Sequence, residues 1–203
     1  MQQPKCKISR RLGTNIFPKC AKVYSRRPYP PGQKKKRRTA APSEYGRELK
    51  EKQKLRYLYN LKENQFRNYV KDILKRSGRI EDAPTALMQL LERRLDNVVF
   101  RLGLAASRQQ SRQMVSHGHF MVNGRKVTVP SYQLKLEDEI TIRPGSSGKE
   151  IFKDLETRLN KYEAPSWLEF DKKILKGRVT GYPLFEHVAP PVEISSIFEF
   201  YSR

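Results

Sequence analysis

Two cysteines, Cys6 and Cys20, have 13 residues between them. A structural zinc needs four ligands, and no C-x-x-C pair or nearby histidine supplies the other two. They read as two free thiols, so no metal and no cofactor is expected. Neither thiol has a partner base in sequence reach. No serine sits in a G-x-S-x-G setting, so acyl-transfer chemistry has no candidate nucleophile. Neither a P-loop nor a G-x-G-x-x-G occurs, which leaves nucleotide hydrolysis and dinucleotide binding without support. His117 and His119 flank Gly118, a pair that would be half a metal site with no third ligand. Asp96, in Arg94-Leu95-Asp96-Asn97, is the one carboxylate whose setting invites a catalytic reading. It lies in an apolar-periodic stretch, so a surface position or a pairing with a nearby arginine is favoured. No catalytic residue is nominated.

The basic residues form a more specific pattern. Arg108, Arg112 and Gln113 fall at i, i+4 and i+5, and His117, His119, Asn123, Arg125 and Lys126 follow closely. No acid occurs from Asn97 to Leu136, whereas ordinary surfaces mix signs. The whole chain of 203 residues carries 42 Lys+Arg against 21 Asp+Glu, a net charge of +21. Such a chain needs a polyanionic partner: RNA, DNA or an anionic membrane surface. The excess is uneven. Residues 1–43 carry +13 with no acid, residues 44–92 carry +3, residues 93–143 carry +5, and residues 144–203 are neutral. Arg26-Arg27-Pro28-Tyr29-Pro30-Pro31-Gly32 interleaves charge with rings and turns that can stack on bases or sugars. With little apolar periodicity, residues 1–43 are expected as an extended basic arm that orders on nucleic acid.

The elements that would position these groups are legible in outline. Ser43 caps a helix from Glu44 to about Tyr59, and a second runs from Glu63 to Arg76 with Phe66, Val70, Ile73 and Leu74 as its stripe. A third opens at Thr85 and runs through Leu87, Leu91, Leu95, Val98, Val99 and Leu102 to Gly103. Ser107 caps a short helix to Ser116. Asn123-Gly124 then joins two strands as a hairpin, and Ile140 to Ile142 reads as another strand. Phe152, Leu155, Leu159 and Tyr162 suggest one more helix, and Trp167 to Phe170 and Ile197 to Tyr201 read as short β-like pieces. The N-terminus lacks the apolar core of a secretory signal, and no run approaches the ~18 apolar residues of a membrane span. Two cysteines are too few for a secreted disulfide scaffold, so a cytoplasmic setting is expected.

Residues Arg93 to Gly103, Ser107-Arg108, Ser116-His117-Gly118-His119 and Val122-Asn123-Gly124-Arg125 closely resemble the S-four RNA-binding domain. Pseudouridine synthases share that module, but no Thr-Ser-Gly follows Asp96 as in those enzymes. Glu51 to Arg56, Gln65 to Asn68, Arg27 to Gln33 and Glu199 to Arg203 are similar to the bacterial small-subunit ribosomal protein S-four family. The resemblance covers nearly the whole chain and is weak at 144–195. It implies an α+β protein: a helical domain, an inserted S-four domain of two helices and a small antiparallel sheet, and the basic extended arm. The expected division is 1–43 for the arm, 44–92 for the helical domain completed by 190–203, 93–155 for the S-four domain, and 156–189 for a helix and connection.

The family implies a non-enzymatic constituent of the small ribosomal subunit. It implies direct, early binding to the 5′ domain of 16S rRNA, nucleation of assembly, and influence on decoding accuracy where mRNA enters. The implied partners are 16S rRNA, the fifth and third small-subunit proteins, and mRNA, with no membrane and no small-molecule substrate. Some members hold zinc with four cysteines in the N-terminal arm. Here Cys6 and Cys20 keep two of those positions, and Ser9 stands where a second ligand would pair with Cys6. The alternative is an RNA-modifying enzyme carrying the same module. The residues nominated to bind rRNA are Arg10, Arg11, Arg26, Arg27, Tyr29, Lys34, Lys35, Lys36, Arg37 and Arg38 in the arm; Tyr45, Arg47, Lys50, Lys52, Gln53, Lys54, Arg56, Gln65, Arg67 and Asn68 in the helical domain; and Ser107, Arg108, Gln109, Arg112, Gln113, His117, His119, Asn123, Arg125, Lys126, Ser131 and Tyr132 in the S-four domain.

Overall fold

The structure, a computed structural model, describes residues 4–33, 41–76, 82–160 and 162–202. In chain order the helices are α1 (Lys5–Leu12), α2 (Ala21–Arg26), α3 (Glu44–Leu58), α4 (Glu63–Lys75), α5 (Ala83–Glu92), α6 (Leu95–Arg101), α7 (Arg108–Ser116), α8 (Pro144–Ser147), α9 (Leu155–Asn160), α10 (Phe185–Val188) and α11 (Ser195–Ser202). The strands are β1 (Phe120–Val122), β2 (Arg125–Lys126), β3 (Glu139–Ile142), β4 (Leu168–Asp171) and β5 (Lys176–Val179). The chain is α+β and divides into two compact units, Met1–Pro84 with Pro190–Arg203, and Thr85–Ala189. Among the described residues no helix is long and apolar enough to cross a membrane.

The first unit is helical. Ser43 Oγ accepts from Gly46 N at 3.2 Å and starts α3 as its type predicts. Phe66, Val70 and Ile73 form the buried stripe of α4. The tail differs from expectation. Ile197 to Tyr201 read as β-like from its aromatic alternation, but it lies in α11, which packs on α3 and α4. At helical spacing Ile197 is buried, the Phe200 ring meets Tyr45 at 5.3 Å, and the Tyr201 ring meets Phe66 at 6.3 Å. Packing against two neighbours overrides the local pattern.

The arm also differs. Residues 5–12 and 21–26 are helical rather than extended. Ile8, Leu12 and Ile16 cluster with Phe17, Tyr57 and Leu58, a small core that the sparse apolar residues of the arm reach only by borrowing from α3. Cys6 and Cys20 are joined in a disulfide, with Cα atoms 5.3 Å apart, so they are not free thiols. The turn after α1 and a 3₁₀ turn at Pro18–Cys20 bring them together, which the count of intervening residues could not show. Arg10 braces the Pro-rich turn: its Nε donates to Tyr29 O at 3.0 Å, and its guanidinium lies 5.1 Å from the Tyr29 ring centre.

In the second unit the long third helix is broken in two. Arg94 is extended (φ −68°, ψ 137°) and bridges Gln133. The backbone groups freed by the break find partners in the 130–134 loop: Leu95 N donates to Tyr132 O at 2.9 Å, Asp96 N to Pro130 O at 3.1 Å, and Leu134 N to Arg93 O at 2.9 Å. The apolar stripe still faces inward, so periodicity alone reads through the kink. Ser107 caps α7 through Gln110 N at 3.3 Å. Asn123 and Gly124, at φ 49° and 77°, make the hairpin between β1 and β2.

The sheet is antiparallel in the order β2-β1-β3-β5-β4. Residues 156–189, expected as helix and connection, thus add two strands to the sheet started by the hairpin. Strand β5 contains Lys176-Gly177-Arg178 and offers no apolar alternation to read. Leu95, Val98, Val99 and Leu102 of α6 pack with Met114, Val115, Phe120, Ile140, Leu155, Trp167 and Val179 into one core.

Gly103 closes α6 at φ +75°, and a Cβ placed there would lie 2.8 Å from the Tyr162 ring. Gly103→Ala is expected to destabilise the second unit by about 2 kcal/mol or more, from the left-handed backbone and the ring contact together. Trp167 is the chain's single tryptophan and is buried in this core, so urea unfolding followed by its fluorescence reads the change.

Candidate nucleic-acid interface

The second unit assembles the interface around two buried carboxylates. Glu92, at the end of α5, is fully buried. Arg101 donates to it with Nε at 2.9 Å and with its terminal nitrogen at 2.8 Å, a two-point fork. Asn97 Nδ2 donates to the same carboxylate at 2.7 Å, and Arg108 stands 3.9 Å away. Arg108 also donates through Nε to Asn97 Oδ1 at 2.7 Å, and its guanidinium covers the Phe100 ring at 4.7 Å. Asp96, 4% exposed, takes a second two-point fork from Arg94, at 3.0 and 2.7 Å. Arg112 lies 3.6 Å from the same oxygen. Ser111 Oγ donates to the Asp96 carbonyl and pins α7 onto α6.

Asp96 is therefore a structural anchor. Both of its oxygens face arginines, and the pairing with a nearby Arg favoured from sequence is the one found. Arg101 and Glu92 belong to the same network and carried no signal in the sequence. Glu92 sits beyond the acid-free stretch, and its partners are 5 to 16 residues away across the helix break.

Over this scaffold the nominated residues sort by exposure. Gln109, Gln113, His117, Asn123, Arg125, Lys126 and Tyr132 are exposed; Ser107, Arg108, Arg112 and Ser131 are half-buried; His119 is buried. The acid-free stretch thus forms the α7 face and the hairpin tip. Asn123 has a structural task as well: Nδ2 donates to Asp138 Oδ1 at 2.8 Å, and Oδ1 accepts from Glu139 N at 2.9 Å. His119 shares a hydrogen bond of 3.0 Å with Ser146 Oγ and meets the Phe152 ring edge-on. Burial, then the positive charges of Lys149, His117 and Arg143, hold its pKa below the ordinary value. Arg143 and Lys149 are not among the residues nominated from the sequence; Lys149 lies in the stretch 144–195 where the resemblance is weak.

In the first unit, Arg11, Arg26, Arg27, Tyr29, Tyr45, Arg47, Lys50, Arg67 and Asn68 are exposed, whereas Arg10, Gln53 and Gln65 are half-buried. Lys52, Lys54 and Arg56 are turned to the protein itself. Lys52 Nζ donates to Glu63 Oε1 at 2.7 Å, Lys54 Nζ to Glu51 Oε1 at 2.6 Å, and Arg56 lies 3.5 Å from Glu63. Alternating basic residues on one helix cannot all point outward, and Glu51 of the same helix and Glu63 at the start of α4 claim the inward ones. Lys34, Lys35, Lys36, Arg37 and Arg38 lie outside the described residues.

Two family models match consecutive parts of the chain. Residues 1–92 match the family described as ribosomal protein S4/S9 N-terminal domain, and residues 93–140 match the S4 domain. The chain is similar to proteins named small ribosomal subunit protein uS4. One from Natranaerobius thermophilus is 43% identical across 100% of this chain and 98% of its own length. One from Thermus thermophilus is 42% identical across 98% and 97%. One from Latilactobacillus sakei is 45% identical across 98% and 97%.

Two outcomes test the scaffold. Asp96→Ala removes the two-point fork from the buried Arg94 guanidinium and is expected to cost about 3–5 kcal/mol of unit stability; replacing both residues with Leu and Met should recover most of it. Urea midpoints of the three proteins measure this. The second concerns pH. His119 is harder to protonate folded than unfolded, so its contribution is intact above about pH 6.5 and is lost as pH falls below it. Thermal melting should therefore drop between pH 7 and pH 5, and His119→Gln should flatten that dependence.

Proposed function

The chain belongs to the uS4 family of small-ribosomal-subunit proteins, and from that premise we propose how it grips RNA. It is a structural, rRNA-binding constituent of the small subunit and not an enzyme. The grip is electrostatic and shape-based, and one observation carries it: a face with no acid from Asn97 to Leu136, mounted on arginines that Glu92 and Asp96 hold in place. The forks of Arg94 and Arg101 are taken by Asp96 and Glu92, so phosphate is left to the outward N–H donors of Arg108, Arg112 and Arg125 with Lys126, and side chains already held in place lose little entropy on binding. Folded RNA offers backbone, 2′-hydroxyls and shape more than readable base edges, so such a face suffices.

The finer reading is that the RNA is the 5′ domain of 16S rRNA, bound early enough to nucleate assembly. The exposed Arg11, Arg26, Arg27 and Tyr29 of the arm, with Arg47, Lys50, Arg67 and Asn68, make a second grip on the same RNA. Contacts with the fifth and third small-subunit proteins, placement where mRNA enters, an effect on decoding accuracy and a cytoplasmic setting belong to this reading.

Binding to a 16S rRNA fragment spanning the 5′ domain should weaken steeply with salt. The expected slope of log K against log salt is about 0.7 to 0.9 per phosphate neutralised. Filter binding from low to moderate salt measures it. A slope near zero removes the electrostatic account, and failure to co-sediment with the small subunit at high salt removes the assignment to the particle.

A further inference from the structure

We propose that the cleft between α4 and α11 is a receptor for one unstacked nucleotide of single-stranded RNA, an inference that rests on the rRNA-binding reading. The cleft has a volume of about 370 Å³ and is lined by Glu63, Asn64, Arg67, Lys71, Phe200 and Tyr201. That is at the lower end of small-ligand pockets, the scale of a single nucleotide.

The lining has an order. Asn64, Arg67 and Lys71 fall at i, i+3 and i+7 on α4 and form one exposed edge, opposite the buried stripe of Phe66, Val70 and Ile73. Phe200 and Tyr201 are half-buried and stand edge-to-face at 5.2 Å, which fixes both rings. Lys52 Nζ lies 4.3 Å from the Phe200 ring centre, on a residue that is itself buried. Tyr45, at 5.3 Å, and Lys52 already stand against Phe200, so a base meets only the part of the ring pair that lines the cleft, and rings immobilised before binding lose little entropy on that contact.

Glu63 gives the cleft a direction. Lys52 Nζ and Tyr201 Oη both donate to its Oε1, at 2.7 and 2.9 Å. Burial pushes the carboxyl pKa up, but those hydrogen bonds and the charges of Lys52 and Arg56 outweigh it, and the group is held below its ordinary value. It stays ionised at neutral pH. An ionised carboxylate only accepts, so it receives a base N–H or a ribose hydroxyl and repels phosphate. Arg67 and Lys71 stand on the exposed edge and attract phosphate. The nucleotide is therefore seated with its base toward Glu63 and Tyr201 and its phosphate toward Arg67 and Lys71. A base held in an A-form stack cannot present its face to a ring, so the cleft selects single strand over duplex.

The test uses the full chain, a single-stranded RNA octanucleotide carrying 4-thiouridine, the same sequence as a duplex, and the 16S fragment. The expected result is photocrosslinking of the single strand to the peptide holding Phe200 and Tyr201, with little from the duplex. Arg67→Gln with Lys71→Gln should bind the octanucleotide about tenfold more weakly, a loss of roughly one stacked or charge-assisted contact, with an unchanged melting temperature. Both substitutions are on the surface, so folding is not at stake. Crosslinks confined to other peptides, equal labelling by duplex, or unaltered octanucleotide affinity in the double variant would each overturn the cleft. If the 16S fragment still binds in those cases, the rRNA reading stands without it. If the wild-type chain binds no rRNA at all, both fail together.

Discussion

Everything in the second unit depends on neutralising arginine inside a protein that has too much of it. Moving a guanidinium out of water costs several kcal/mol unless a carboxylate meets it with good geometry. Arg94 is 1% exposed, and Asp96 meets it with a two-point fork. Glu92 does the same for Arg101 and, with Asn97, steadies Arg108. The break between α5 and α6 is what makes these pairings possible. An unbroken helix would carry Glu92, Asp96 and the arginines along one continuous spiral. The extended Arg94 instead turns α6 so that both carboxylates sit behind α7. Arg108 and Arg112, half-buried at the surface, are then held from behind by Glu92, Asn97 and Asp96.

The same device recurs in the first unit in a different form. Glu63 gathers Lys52, Arg56 and the Tyr201 hydroxyl, and so locks α11 against α3 and α4. Burial, and then Glu63 itself through its hydrogen bond and charge, push the Tyr201 hydroxyl pKa upward, so the phenol stays a donor through the physiological range. In both units a single acid orders several bases around an apolar contact. The excess positive charge outside these knots is what remains for RNA.

Much of this was legible in the sequence, and the failures have specific causes. Ser43, Ser107 and Asn123-Gly124 act where caps and turns act, because those devices are local. The α4 stripe and the acid-free surface were also readable, since each is a property of consecutive residues. The helix break was not, because the partners of Leu95 and Asp96 lie some 35 residues away in the 130–134 loop and the apolar period continues across the kink. Nor was the disulfide, since a count of residues between Cys6 and Cys20 says nothing about the turns between them. The arm looked too polar to fold because its small core includes Tyr57 and Leu58, which belong to another helix. Among the nominated residues that face inward, Lys52, Lys54 and Arg56 were chosen for their charge, which alone does not give direction, and His119 turns in to Ser146, a partner 27 residues away.

Residues 144–189 explain why the interface has an edge. Their strands β4 and β5 extend the sheet away from the hairpin, and their charges are matched across strands. Lys176 pairs with Glu139 at 2.7 Å, and Arg178 pairs with Glu137. Exposed pairs of this kind add little stability, but they leave no net field. Across the order β2-β1-β3-β5-β4 the sheet thus runs from an acid-free hairpin to a balanced edge. A phosphate backbone is attracted to the first and is indifferent to the last. Within the second unit the positive excess is therefore positional: it lies at the hairpin end of the sheet, while at the β5 end Lys176 and Arg178 are matched by Glu139 and Glu137, where composition alone reported only a large positive total.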